Sequence, residues 1–117
     1  LEYYPRLLTA VTGLKWSLDD IHVVANRIYT SIRAFWIREH AGWSSEMDYP
    51  PPRWFKHPLT KGPYAGSRLD VAKYSEMLKL YYEMRGWDAN GVPRRETLIK
   101  LGLEFTIPVL ENLVELH

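Results

Sequence analysis

The feature that most constrains the fold is a run of apolar residues near the start of the chain. Between positions 18 and 35 they recur at alternating steps of three and four: Leu18, Ile21, Ala25, Ile28, Ile32 and Phe35. This is the period of an α-helix, so the run predicts one apolar stripe along a helix of about five turns. Ser17 is a favourable N-cap residue, and Asp19 and Asp20 fall in the first turn, where the helix dipole stabilises negative charge.

Four further stretches have helical features, and no two stretches show the alternation of a β-hairpin. These predicted helices cover Tyr4–Val11, Val71–Met84, Pro93–Leu101 and a last segment from about Thr106 to Leu116. Gly13 is placed to end the first of them, and Asp70 is placed to cap the second. The chain is therefore predicted to be all-α, a compact bundle of about four to five helices that forms a single domain over residues 1–117.

A proline-rich and aromatic segment separates the second and third predicted helices. Residues 40–68 contain five of the eight prolines, which exclude regular helix from most of the segment. The same residues include aromatic side chains that are unusual in a disordered linker: Trp43, Tyr49, Trp54, Phe55 and Tyr64. We therefore expect an extended segment that packs over a surface, either of this chain or of a part of the protein outside it.

Composition excludes several classes of function. With 15 Lys and Arg against 14 Asp and Glu, the net charge is +1, so no basic excess attracts nucleic acid or an anionic membrane. No apolar stretch reaches the length of about 18 residues that suggests a membrane span. The absence of cysteine excludes disulfides, thiolate zinc sites, an iron–sulfur cluster held by this chain alone and a cysteine nucleophile. It also favours a soluble cytoplasmic protein.

Side chains able to carry chemistry are scattered along the chain. Asp19 and His22 have the spacing of two ligands on one helix face, but two ligands do not make a metal site. Two pairs of carboxylates fall on the polar sides of predicted helices, where we expect them to be solvated: Glu76 with Glu83, and Glu111 with Glu115. None of these groups predicts an active site within the chain.

Basic and aromatic residues interleave in one part of the sequence, namely Arg33, Arg38, Arg53 and Lys56 with Trp36, Trp43 and Trp54. Such clusters can bind single-stranded nucleic acid. The nearly neutral net charge instead favours aromatic rings that fill the core and arginines that reach the solvent. Arg38 and Glu39 end the long helix. They form either a weak ion pair at the helix end or part of an interface with a missing domain.

Three stretches of the chain together resemble one enzyme family. The first is LLTAVTG at 7–13, followed by RIY at 27–29 and RAFWIRE at 33–39. The second is PR at 52–53 with PLTKGP at 58–63, and the third, the most specific, is YYEMRGWDANGVP at 81–93. In sequence, order and spacing these stretches are similar to the C-terminal part of the tungsten-dependent aldehyde:ferredoxin oxidoreductase family.

The resemblance implies the C-terminal helical domain of a larger oxidoreductase, which oxidises aldehydes to carboxylates and passes electrons to ferredoxin. In that family an N-terminal domain binds a tungsten bis-pterin cofactor. One 4Fe–4S cluster is held there by four upstream cysteines, three of them in a CxxCxxxC run. This chain contains no cysteine, and no catalytic, cofactor-binding or metal-binding residue can be carried over to it. The expected partners are the missing N-terminal and middle domains, and the isolated chain is expected to be inactive.

The chain also departs from the family pattern. Trp36 stands where the family commonly has Asn, His40 where it has Gly, and Asn26 where it has Glu, which indicates a divergent member. Phe35, Arg38 and Glu39 match a family motif, and we predict that they line an interface or a pocket. The alternative hypothesis is a standalone helical protein-interaction module derived from this domain.

Overall fold

The computed structural model describes residues 1–40 and 42–117, and their architecture is all-α, which confirms the predicted class. Six α-helices follow one another in these residues: α1 (Tyr3–Thr12), α2 (Leu18–Glu39), α3 (Arg53–Lys56), α4 (Val71–Arg85), α5 (Arg95–Lys100) and α6 (Ile107–Leu110). Two 3₁₀ helices cover Ser45–Asp48 and Glu104–Thr106. Within the same residues, β pairing is limited to an isolated bridge between Trp87 and Pro93.

The two long helices have the predicted caps. At the start of α2, the Asp20 amide donates to Ser17 Oγ (3.1 Å) and the Ser17 amide donates to the Asp20 carboxylate (2.8 Å). This capping box satisfies two donors that a helix start otherwise leaves unpaired. The hydrogen bonds from Ser17 also lower the pKa of Asp20. Asp70 caps α4 by accepting a hydrogen bond from the Lys73 amide (3.0 Å), and Gly13 ends α1 at a φ of 71°.

The predicted start of α5 at Pro93 was wrong. The helix begins at Arg95, because Pro93 pairs with Trp87 and Arg94 keeps an extended backbone with a ψ of 150°. The Arg94 amide donates to the carbonyl of Gly86 (3.2 Å), so this residue closes a turn before the helix can start.

The predicted end of the last helix near Leu116 was also wrong. α6 ends at Leu110, and turns replace the helix beyond it. The Arg95 amide donates to the carbonyl of His117 (2.8 Å), which holds the final residue against the start of α5. This long-range hydrogen bond requires the chain to reverse its direction after α6. A continued helix would instead carry His117 away from Arg95.

The proline-rich segment is irregular over most of its length, as predicted. Its regular structure in the described residues is one 3₁₀ helix, Ser45–Asp48, and the single turn of α3. α3 follows Pro51 and Pro52 directly, and proline is favoured at a helix start because its missing amide has no intrahelical acceptor there.

The core lies between the C-terminal half of α2 and the last third of the chain. Its buried residues are Ala34, Ile37, Val92, Leu98, Leu101, Leu103, Ile107 and Leu110. Trp43, Val114 and Leu116 are partly buried and pack against it. α5 and α6 therefore pack against one end of α2, the helix that supports the rest of the structure.

The apolar stripe that predicts α2 is not the face that the core buries. The buried residues of α2 are Thr30, Ala34 and Ile37. Ile28 and Ile32 each lie two positions from Thr30, which is about 200° of rotation around an α-helix. These two residues are 53% and 49% exposed, and Phe35 is 53% exposed. We call Ile28, Ile32 and Phe35 the open stripe of α2.

The molecule is flat and extended for its size. Its radius of gyration is 18.0 Å and its principal extents are 50 × 41 × 21 Å. A compact domain of about 100 residues has a radius of gyration of about 13 Å. α1 and residues 51–69 contain no buried residue, so much of the chain extends away from the core.

Candidate functional site

The centre of the chain is held by a polar cluster of Arg33, Asp48 and Tyr82. Arg33 makes two parallel hydrogen bonds to the Asp48 carboxylate, at 2.7 and 3.1 Å. The Tyr82 hydroxyl donates to the same carboxylate at 2.5 Å, and the Tyr74 hydroxyl donates to the Asp48 carbonyl at 2.8 Å. Bidentate arginine–carboxylate pairs are among the strongest hydrogen-bonded contacts. The cluster therefore ties α2, the first 3₁₀ helix and α4 together.

Aromatic rings enclose the arginine of this cluster. The Arg33 guanidinium lies 4.6 Å from the Trp43 ring centre and 4.5 Å from that of Trp87. Trp87 Nε1 donates to Thr30 Oγ1 (3.4 Å), and Trp43 Nε1 donates to the Asn90 carbonyl (3.0 Å). Cation–π contacts of this kind strengthen when water is excluded. Two members of the basic and aromatic pattern, Arg33 and Trp43, thus serve to hold the fold together.

The most specific family motif, residues 81–93, forms the connection between α4 and α5. The Asp88 carboxylate accepts hydrogen bonds from the amides of Asn90 (2.8 Å) and Val92 (2.9 Å), which fixes a tight turn. Gly91 has a φ of 73°, and a Cβ added there would lie 2.8 Å from Cζ of Tyr82. Glycine is thus required twice at this position, for the backbone angle and for the tyrosine ring.

Tyr82 provides a test of the cluster by pH. Burial raises the pKa of Tyr82, and the hydrogen bond to Asp48 raises it further. The unfolded chain releases this proton at a pH of about 10, whereas the folded chain retains it, so stability falls as pH rises above that value. Below that pH the stabilising contribution of Tyr82 is fully present.

We expect Tyr82→Phe to lower the free energy of unfolding by about 1.5 kcal/mol at pH 7, because a hydrogen bond to a charged group is lost. The difference from wild type should shrink above a pH of about 10, because only the wild type has a tyrosine at position 82 and its raised pKa makes folding less favourable at such pH values. Urea unfolding at several pH values measures this effect. A constant difference between pH 8 and 11 would contradict it, and Tyr64→Phe, an exposed tyrosine, is the control.

The three residues predicted to line an interface or pocket lie at the end of α2. Arg38 Nε donates to Glu39 Oε1 (2.8 Å), and the Arg38 guanidinium lies 4.9 Å from the Phe35 ring centre. The Arg38 and Glu39 side chains are 53% and 49% exposed, so their ion pair contributes little to stability. Phe35 and Arg38 border a cavity of about 230 Å³ with Phe105 and Val109 of the last third of the chain. Glu39 does not line it, and the role of all three stays a prediction.

The described residues do not contain a complete set of metal ligands. Within residues 1–40 and 42–117, His, Cys, Asp and Glu do not gather in groups of three or more that could hold a metal ion. Asp19 and His22 are both exposed in α2. Without cysteine the chain also lacks the thiolates that hold an iron–sulfur cluster. These residues therefore do not by themselves supply the ligands of an iron–sulfur cluster.

A larger cavity, of about 780 Å³, lies in the proline-rich segment. Its lining residues are Arg53, Trp54, His57, Leu59, Tyr64, Ser67, Arg68 and Leu69. Of the paired glutamates, Glu83 lies 4.0 Å from Lys79 and Glu111 pairs with Arg95, all of them on the surface. None of the helices in the described residues is long and apolar enough to cross a membrane.

Sequence reasoning did not single out Asp48, the residue on which the central cluster converges. Its partners Arg33 and Tyr82 lie 15 and 34 positions away, so no local spacing relates them. The third motif could have pointed to the cluster, because it contains Tyr82 and Trp87 close to the residues that form a turn.

Comparisons with known proteins identify the family of the chain. A family model described as aldehyde ferredoxin oxidoreductase, domains 2 & 3, matches residues 1–103. The tungsten-containing aldehyde ferredoxin oxidoreductases of Pyrococcus horikoshii and Pyrococcus abyssi are 35% and 34% identical over 101 residues. An aliphatic sulfonate oxidoreductase, WOR-like subunit, of Pyrococcus furiosus is 34% identical over 61 residues, which are 52% of this chain and 10% of that relative.

The extent of these matches defines what the chain corresponds to. The aligned residues are 86% of this chain but only 16% of the first two relatives. The chain thus spans about one sixth of the curated proteins that it matches. It belongs to the aldehyde ferredoxin oxidoreductase family, and it corresponds to a part of domains 2 and 3 of that enzyme.

Proposed function

We propose that these residues form the C-terminal helical domain of an oxidoreductase resembling the tungsten-dependent aldehyde ferredoxin oxidoreductases. The whole enzyme converts aldehydes to carboxylates and passes the electrons to ferredoxin in the cytoplasm. This domain contributes a helical wall and an interdomain surface and is not catalytic by itself. The family match over residues 1–103 supports the enzyme class.

The observation that carries this proposal is the open stripe of α2. A helix ordinarily turns its strongest apolar stripe towards a core. Here Ile28 and Ile32 are about half exposed, and the neighbouring Tyr29 and Trp36 are 52% and 51% exposed. An apolar surface of this kind marks an interaction site. Because the relatives are about six times longer than the aligned residues, the rest of the enzyme is the natural cover for this stripe.

The cofactors of the proposed enzyme belong to its upstream part. A tungsten bis-pterin supplies two-electron chemistry at an aldehyde carbon, and a 4Fe–4S cluster carries single electrons onwards. The chain has no cysteine, and its described residues contain no cluster of metal ligands. What its own side chains supply in this proposal is apolar contact and position.

The enzyme class is tested by comparing two purified proteins. The intact protein that contains Leu1–His117 should hold tungsten and iron and should reduce a viologen dye with an aldehyde as electron donor. The 117-residue chain alone should do neither. Turnover by the isolated chain would show that the domain assignment is wrong. An intact protein that begins near Leu1, without upstream domains, would favour the standalone interaction module.

The interface part of the proposal is tested by Ile32→Ser in the open stripe. We expect the intact enzyme to lose about 1.5–3 kcal/mol of stability, the value of one fully buried isoleucine. The isolated 117-residue chain should lose only about half as much, because the side chain is already half exposed there. Thermal unfolding of both proteins measures the difference.

Ile99→Ser is the matched control, since Ile99 is 55% exposed in the same chain but lies on α5. Equal losses for Ile32→Ser in the isolated chain and in the intact enzyme would contradict a covered stripe. Equal losses for Ile32→Ser and Ile99→Ser in the intact enzyme would show that α2 is not specifically covered.

A further inference from the structure

Residues 51–69, which we call the basic loop, fold back on themselves through backbone hydrogen bonds. The Leu59 amide donates to the Ser67 carbonyl (2.8 Å), and the Gly66 amide donates to the Leu59 carbonyl (2.8 Å). The Leu69 amide donates to the carbonyl of Trp54 (3.1 Å), which closes the base of the loop. The loop is thus a built structure, although it contains no buried residue.

The cavity of about 780 Å³ lies inside this loop, and its wall is largely apolar. Trp54 is 51% exposed, Leu59 57% and Tyr64 72%. All eight lining residues are exposed, so the cavity is an open basin on the surface. Apolar side chains around an open basin are stabilised when another apolar surface covers them.

The charge of the basic loop is one-sided. It contains Arg53, Lys56, Lys61 and Arg68 and neither Asp nor Glu, although the whole chain is nearly neutral. Arg53 and Arg68 border the cavity, and neither has a salt bridge within residues 1–40 and 42–117. The first carboxylate after the loop, Asp70, caps α4. Clustered charge of one sign selects a partner of the opposite sign.

We propose that the basic loop docks an acidic segment of the parent enzyme, which inserts an apolar side chain into the cavity. The segment belongs to the part of the enzyme upstream of Leu1, so this inference rests on the proposed function. Arg53 and Arg68 pair with its carboxylates, and Trp54, Leu59 and Tyr64 surround its apolar side chain. The docking fixes the helical domain against the upstream domains at a second place besides the open stripe.

The shape of the cavity favours a protein segment over a small molecule. Small-molecule sites bury about 70–90% of their ligand. The lining residues of this basin are all exposed, so it is open to solvent, and a second protein surface would close it from above. A nucleic acid needs basic residues along an extended path, and the balance of 15 basic and 14 acidic residues leaves no such excess.

The test is zero-length cross-linking of the intact enzyme with a water-soluble carbodiimide. The reagent activates a carboxylate, and a lysine amine in contact with it displaces the urea by-product and forms an amide. We expect Lys56 or Lys61 to be joined to Asp or Glu residues upstream of Leu1, identified by peptide mass spectrometry. The yield should fall at high salt, because screening weakens exposed ion pairs.

Arg53→Glu with Arg68→Glu should lower this yield about fivefold or more, since charge reversal replaces attraction by repulsion. Lys15→Glu with Lys79→Glu makes the same change in net charge on exposed side chains outside the loop and should leave the yield unchanged. Because the wild-type cross-link is read without any variant, a folding defect in the variants does not decide the result.

Three outcomes overturn the proposal. Cross-links between two copies of the basic loop would show self-association. An intact enzyme that holds tungsten but gives no cross-link from Lys56 or Lys61 to upstream residues would remove the docking and leave the enzyme class standing. A protein without tungsten or upstream domains would remove both the docking and the proposed function.

Discussion

Replacing Asp48 by alanine is expected to lower the free energy of unfolding by up to about 3–5 kcal/mol, the usual cost of breaking a buried ion pair by removing one partner, because this pair is largely shielded from solvent. The Arg33 side chain is only 11% exposed, and the Asp48 carboxylate provides its two hydrogen bonds. Without it, a guanidinium stays enclosed by Trp43 and Trp87, and the Tyr82 hydroxyl loses its acceptor. Urea unfolding of the 117-residue chain measures the loss.

Two further variants separate this effect from a general defect. Glu46→Ala removes an exposed carboxylate from the same 3₁₀ helix and should change stability by less than about 0.5 kcal/mol. Arg33→Met combined with Asp48→Leu removes both charges and should recover much of the loss, since no unpaired charge remains buried. A loss below 1 kcal/mol for Asp48→Ala would show that water reaches the cluster freely.

Leu98→Ala is expected to cost about 2–5 kcal/mol, because the substitution removes buried methyl groups and leaves a cavity. Leu98 is 0% exposed and lies in the core with Leu101, Leu103 and Leu110. The adjacent Ile99→Ala, at a residue that is 55% exposed, should cost far less and is the matched control. The midpoint of urea unfolding should shift while its slope stays constant. Similar losses for the two variants would mean that α5 does not pack as described.

Local features of the fold could be predicted from the sequence, and long-range ones could not. The capping box of Ser17 and Asp20 involves residues three positions apart, so a short window contains the whole interaction. The start of α5 depends instead on the pairing of Pro93 with Trp87. Beyond α6 the chain turns back to the hydrogen bond between Arg95 and His117. No short stretch of sequence includes both Arg95 and His117, and helix propensity alone predicted both helices longer than they are.

The central cluster illustrates the same limit for the site. Arg33 appeared in the sequence as a member of a basic and aromatic pattern, and Asp48 did not stand out. The fold brings the Arg33 guanidinium to 2.7 Å from the Asp48 carboxylate, and the Tyr82 hydroxyl donates a hydrogen bond to the same carboxylate. Phe35 and Arg38 were selected by a family motif, and their shared cavity depends on Phe105, 67 positions beyond Arg38. A pairing across such distances is set by packing.

The sequence by itself determined the helical class, the position of α2 and the family of the chain, because helical period, caps and motifs are encoded in short stretches. Only the tertiary structure decided which side of α2 is buried. The choice of Thr30, Ala34 and Ile37 over Ile28 and Ile32 depends on which surfaces are available to cover each side. This chain contains the cover for one side, and the proposed remainder of the enzyme supplies the cover for the other.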